Sequence, residues 1–272
     1  MHEAWFYCTP HGGPFYNMAF DEWLFSRALV APATVFLRLY NWKPGTVTFG
    51  VNQRQETALD FDKLGETPVV RRITGGRALY HDQSELIYAI AVNAKGLDVP
   101  SLSGSLSATS RAIALALGSF LDTLSIETSY VQKSTPADLK PEYFHKAPCF
   151  ASAARHELMA GDRKIVASAQ KRLGTALLQH GSIKIGGVVS HPALAGIGDR
   201  LESCTQAIDT KAFKKYGELF RTAMGRSLGL VFLPCDLTEA EMREIDRRTA
   251  QVEKNALSKR VIVAQNDGAA SL

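Results

Sequence analysis

The chain has 272 residues, of which 46% are hydrophobic and 21% charged. That balance excludes a disordered, collagen-like or coiled-coil protein, and the length suffices to bury a core without disulfide or metal staples. The 31 Lys and Arg against 27 Asp and Glu leave a net charge of +4, too weak a bias to imply nucleic acid but compatible with an acidic protein partner.

In chain order, Asn17 is expected to cap a helix whose apolar face is Phe20, Trp23, Leu24 and Ala28. Segments 34–42 and 46–53 read as two strands joined around Pro44 and Gly45. Segment 67–72 runs into a double-glycine turn, and 78–92 continues as strand. Over 106–124 the spacing of Ile113, Leu117, Phe120, Leu121 and Leu124 predicts a helix. Strands are expected again over 154–185, with turns at Gly161-Asp162 and near Gly174. Two helices close the chain. The first carries Phe213, Tyr216, Phe220 and Met224 on one stripe, and the second opens with a capping box of Thr238 and Glu241.

Short connections favour antiparallel neighbours. The expected fold is therefore α+β, or mixed α/β, with mainly antiparallel sheets and packed helices. One domain is expected over 1–235, with 236–272 as a helical C-terminal extension of the same unit.

Cys8, Cys149, Cys204 and Cys235 are spaced irregularly and form no CxxC pair, so neither a metal site nor a disulfide framework is expected. The opening MHEAWFYCTP has no basic segment followed by an apolar one, as a secretory signal requires. The apolar run near 85–92 is far shorter than the ~20 residues of a membrane helix. A cytoplasmic monomer with reduced thiols is the expectation, without contact to membrane or nucleic acid.

Two segments place small and polar residues inside otherwise apolar strands. The first is Arg71-Arg72-Ile73-Thr74-Gly75-Gly76-Arg77-Ala78-Leu79-Tyr80-His81-Asp82. Its glycines allow close backbone approach to a ligand, and its arginines offer donors to an oxygen. A solvated surface turn is the plain alternative. The second comprises Cys149-Phe150, the run Gly161 to Arg172, and Leu178-Gln179-His180-Gly181-Ser182-Ile183. Strict alternation would put Lys164, Val166, Ser168 and Gln170 on one face and Ile165, Ala167 and Ala169 on the other. An edge strand with a solvent-facing lysine is the alternative here.

These blocks, RRITGGRALYHD, KIVASAQKR with LQHGSI, and NMAFDE at 17–22, resemble the motifs of the biotin/lipoate protein ligase superfamily. The resemblance runs in family order over about residues 1–235. Arg77 stands where ATP-using lipoate ligases carry a third glycine, and Cys149-Phe150 stands where the LipM-type octanoyltransferases carry a nucleophile. Ala167 departs from the family's usual glycine.

The resemblance implies octanoyl transfer from octanoyl-acyl carrier protein, through a cysteine thioester, to a lysine of a lipoyl domain such as the glycine cleavage H protein. No cofactor is implied. Cys149 would be the nucleophile and Lys164 the cation that lowers its pKa. Arg72, Thr74, Gly75, Gly76, Arg77, His81, Ser168, Ala169, Gln170, His180 and Gly181 would bind substrate. His81 and His180 would orient the acyl carbonyl or shuttle a proton, or else pack the turn. The alternatives are an ATP-dependent lipoate ligase and a non-catalytic acyl- or carrier-binding paralogue.

Overall fold

Two central strands have no solvent face. In β2 (Val35–Trp42) and β6 (Leu86–Asn93) every residue is buried, because helices cover both sides of the sheet they share. The computed structural model describes residues 3–132, 157–186, 193–194 and 207–269. Its larger sheet has eight strands in the order β11-β1-β2-β6-β10-β9-β8-β7. The others are β1 (Glu3–Gly12), β7 (Ser129–Tyr130), β8 (Leu158–Ala160), β9 (Arg163–Leu173), β10 (Ala176–Ile183) and β11 (Val231–Pro234).

Among the described residues only β1 makes parallel pairs in this sheet, with β2 and β11. Its pairing with β2 requires a crossover, supplied by α1 (Pro14–Val30). The remaining pairs are antiparallel, so the α+β expectation holds. A second sheet, β4-β3-β5, is formed by β3 (Thr46–Phe49), β4 (Val69–Arg71) and β5 (Leu79–His81).

The two strands expected over 34–42 and 46–53 form as β2 and, over its first four residues, β3. A cis Lys43–Pro44 bond lies between β2 and β3, and the two strands belong to different sheets. The cap at Asn17 is corrected. Pro14 takes the first turn of α1 and Gly13 its N-cap. Asn17 is buried inside the helix, and its amide donates to the carbonyls of Gly12 and Asn41.

The later helices follow their periodicity. In α4 (Leu106–Asp122), capped by Ser105, the residues Ile113, Leu117, Phe120 and Leu121 are buried. In α5 (Thr210–Leu228) Phe213, Phe220 and Met224 are buried, and Gly229 closes the helix at φ 70°. With α4 they fill one face of the large sheet against Leu37, Leu39, Tyr88 and Ile90. On the opposite face α1 packs over Tyr40, Ile87 and Ala89. There α6 (Glu239–Ala269) lies across α1, burying Ile245 completely and pairing Glu241 with Arg27. The capping box forms as expected, Thr238 N–H donating to Glu241 Oε2 and Glu241 N–H to Thr238 Oγ1. Two short helices, α2 (Gln55–Ala58) and α3 (Pro100–Ser103), lie in connections.

One irregularity matters for the site. Leu158 pairs with Val166 but Met159 with Lys164, so Ile165 is an extra residue in β9. Ile165 and Val166 both join the core beneath α4 and α5. Such a bulge breaks the two-residue alternation, and Lys164 is out of phase with Ser168 and Gln170.

Candidate active site

On the α1 side of the large sheet, register sets small and polar side chains in rows. Tyr40 lies opposite Ile87, Ile87 opposite Ser182, and Ser182 opposite Ala167, while His180 faces Ala169. The small sheet adds Leu79 and His81, and the turn after β4 adds Arg72 and Gly76. Together with Met18 and Trp42 these residues line a cavity that is partly open to solvent. Its walls are largely apolar, with histidines on two sides.

Each histidine is held at both ring nitrogens. His180 Nδ1 lies 2.8 Å from Asp21 Oδ2 and its Nε2 lies 2.7 Å from Thr74 Oγ1. His81 Nδ1 lies 2.6 Å from Glu85 Oε1 and its Nε2 lies 2.8 Å from Thr48 Oγ1. A carboxylate can only accept, so a neutral ring donates from Nδ1 and accepts the threonine hydroxyl at Nε2. Burial pushes the His81 pKa below the ordinary value; Glu85 raises it but does not win. His81 is therefore neutral near pH 7. Its ring stacks on Trp42, with centroids 4.7 Å apart.

The carboxylates are themselves buried and paired. Asp21 also accepts from Arg38 Nη1 at 2.9 Å and from Tyr40 at 2.8 Å. Burial pushes Glu85 up, but Lys184, 2.7 Å away, and His81 outweigh it and hold the carboxyl below its ordinary range. Ser182 donates a very short hydrogen bond to the same carboxylate.

Arg72 fastens the glycine turn. Its guanidinium donates to Thr48 Oγ1 at 2.6 Å and to the carbonyls of Gly75 and Arg77 at 3.1 and 3.0 Å. Gly76 adopts φ 93°, and a Cβ there would sit 3.2 Å from the Arg72 guanidinium. Both constraints call for glycine. Gly181 is required by packing, since a Cβ would meet the Ala167 carbonyl and lie 2.8 Å from the Tyr88 ring.

The cavity thus gathers Arg72, Gly76, His81, Ala169, His180 and Gly181 from the residues expected on sequence grounds, and Ser168 borders it with its side chain turned to the other face. Thr74 reaches it through His180, while Gly75 and Arg77 act through their carbonyls. The shared face of Lys164, Ser168 and Gln170 is corrected. The Ser168 hydroxyl hydrogen-bonds to Tyr88 at 2.7 Å, and Gln170 donates to Gln179 at 2.8 Å and to Thr109 at 3.2 Å. Both side chains therefore point to the α4 side of the sheet. Lys164 is buried in an ion pair with Glu157 at 2.6 Å. Cys149 and Phe150 lie outside the described residues, as does Cys204. Cys8 is not activated: desolvation where its sulfur packs on Gly217, and the Glu218 carboxylate, raise its thiol pKa to about 11.

Sequence reasoning missed Asp21, Glu85, Thr48, Trp42 and Lys184. Asp21 lies within the NMAFDE segment, yet its partners come from 17 to 159 residues away.

The lipoyl protein ligase A/B catalytic domain family matches residues 13–213. The chain belongs to this family and is an acyltransferase. Among curated relatives, the octanoyltransferase LipM of Staphylococcus aureus is 29% identical over 277 residues, covering 92% of this chain and 96% of its own. The octanoyltransferase LipM of Symbiobacterium thermophilum is 32% identical over 251 residues, covering 84% and 87%. Solved structures share the fold. A bipartite lipoate protein ligase from Thermoplasma acidophilum superposes with a TM-score of 0.60 at 18% identity, covering 92% of this chain and 93% of that one. A lipoate-protein ligase A bound with ATP gives 0.65 at 18% identity, covering 91% and 94%.

Proposed function

We propose that the protein moves an octanoyl group from octanoyl-acyl carrier protein to Cys149 and then to a lysine of a lipoyl domain, such as that of the glycine cleavage H protein. The observation that carries this reading is the cavity, apolar along Met18, Leu79 and Ile87 and bounded by the fixed Trp42–His81 stack. Such a slot suits an unbranched acyl chain with its carbonyl among polar groups.

A thioester donor already holds an activated acyl group, so thiolate attack expels the carrier thiol without nucleotide. The acceptor amine then attacks the enzyme thioester, forming the amide and releasing the Cys149 thiolate, while the amine proton passes to a base or to solvent. A free cysteine of pKa ~8.5 is a few per cent thiolate at pH 7. A nearby ammonium raises that fraction and can stabilise the oxyanion of each step. Lys164 is assigned that role. The bulge at Ile165 supports it by bringing Lys164 into phase with Ala167 and Ala169 rather than with Ser168. Residues 1–235 would form the catalytic unit, with 236–272 packed on it as part of a cytoplasmic monomer.

Protein mixed with octanoyl carrier protein, without acceptor or nucleotide, should gain the mass of one octanoyl group. The adduct should be labile to hydroxylamine and map to Cys149, not to Cys8, Cys204 or Cys235. Full transfer by Cys149→Ala, or formation of octanoyl-adenylate by the unmutated protein, would overturn the proposal.

A further inference from the structure

The charge surplus of the chain sits on one helix. Residues 210–228 of α5 contain Lys211, Lys214, Lys215, Arg221 and Arg226 against the single acid Glu218. That surplus of four equals the net charge of the entire chain. By contrast α6 balances its charges and ties them in pairs such as Arg243–Glu239 and Arg248–Glu244.

With Phe213, Phe220 and Met224 turned into the core, helical spacing puts Lys211, Lys214, Lys215 and Arg226 on the outer face, where all four are exposed. Glu218 is taken by Arg221 at 2.7 Å. Among the described residues these four cations make no ion pair. Three of them lie in the N-terminal half of the helix, where the N-cap Asp209 is the acid at that end and accepts from Ala212 N–H. The helix dipole disfavours cations at that end, so helix stability does not account for the arrangement.

The start of α5 is tied to the site. Ile208 N–H donates to the carbonyl of Gln83 at 3.0 Å, in the turn between His81 and Glu85. Yet α5 packs on the sheet face opposite the cavity. A lysine acceptor must sit at the cavity mouth, because its side chain is short. A partner docked on α5 must instead reach round the sheet with a long flexible arm.

We propose that the outer face of α5 docks an acidic carrier protein, the donor that presents the acyl chain on its prosthetic arm. This rests on the donor assigned above. Opposite charges on docking faces speed association by one to three orders of magnitude, and salt screens the effect.

The test is the triple variant Lys211→Glu, Lys214→Glu, Lys215→Glu, all at exposed positions. Octanoyl-carrier protein and octanoyl-pantetheine serve as alternative donors at low salt. The variant should raise KM for the carrier-borne donor about tenfold or more with kcat retained, and leave turnover of octanoyl-pantetheine and KM for the acceptor domain unchanged. Raising salt should lift the wild-type KM towards that of the variant. An unchanged carrier KM would overturn the proposal, as would an equal loss with octanoyl-pantetheine or a rise confined to the acceptor KM. Direct titration with unacylated carrier protein separates the two readings. Salt-sensitive binding lost in the variant sustains the docking face even if transfer chemistry fails, and wild-type transfer with no such loss sinks the docking face alone.

Discussion

Removal of the Asp21 carboxylate tests the buried network most directly. Arg38 is 0% exposed and Asp21 1%, so solvent cannot replace the lost partner. In Asp21→Ala the guanidinium keeps the Asn17 side chain at 2.7 Å and Thr9 at 2.9 Å, but both are neutral and the charge stands uncompensated. Breaking a buried pair in this way costs about 3–5 kcal/mol. At ~2.1 cal/mol/K per residue, unfolding 272 residues carries an entropy near 0.6 kcal/mol/K, so Tm should fall by about 5–9 °C. Asp21→Asn separates charge from tautomer. Its oxygen can still accept from Arg38, but its amide must donate towards His180 or Tyr40. His180 would then accept at Nδ1 and donate from Nε2 to Thr74, reversing the chain. Asn should therefore cost less in Tm than Ala yet still depress the transfer rate. Thermal unfolding at fixed pH, with transfer rates on the same samples, decides it. Asp21→Ala melting within about 2 °C of wild type would refute the reasoning.

Gly181→Ala should destabilise by about 1–3 kcal/mol through overpacking against Tyr88 and the Ala167 carbonyl, read as a lower urea midpoint at unchanged m-value. His81 has a folded-state pKa below its ordinary 6.5, so the unfolded chain binds its proton first. Its contribution to stability is complete above pH 6.5 and is lost as pH falls through the folded value, by up to ~1.4 kcal/mol per pH unit. His81→Gln should remove that part of the acid-side slope in denaturation series, and an unaltered slope would contradict a neutral buried ring. Lys164→Ala should slow formation of the acyl-enzyme by ~10²–10³ in single-turnover assays, and wild-type rates would exclude its assigned role.

Much of the site was legible in the chain because its segments are local. The Arg71–Asp82 and Lys164–Ile183 blocks announced themselves by glycine and polar residues set in apolar strands. The turns at Gly161 and Gly174 take positive φ as glycine permits, which made the β8-β9-β10 meander readable. The stripes of α4 and α5 followed from helical period, and the capping box from four consecutive residues. Other features depended on which elements meet in space. The short link at Pro44 joins two strands in sequence, but the chain leaves one sheet there and starts another. One extra residue at Ile165 is invisible to a period-two reading, yet it changes the phase of Lys164. Asp21 and Glu85 carry no local mark of their roles. Each is defined by partners from other strands, because a buried carboxylate is stable only where the fold supplies donors to satisfy it.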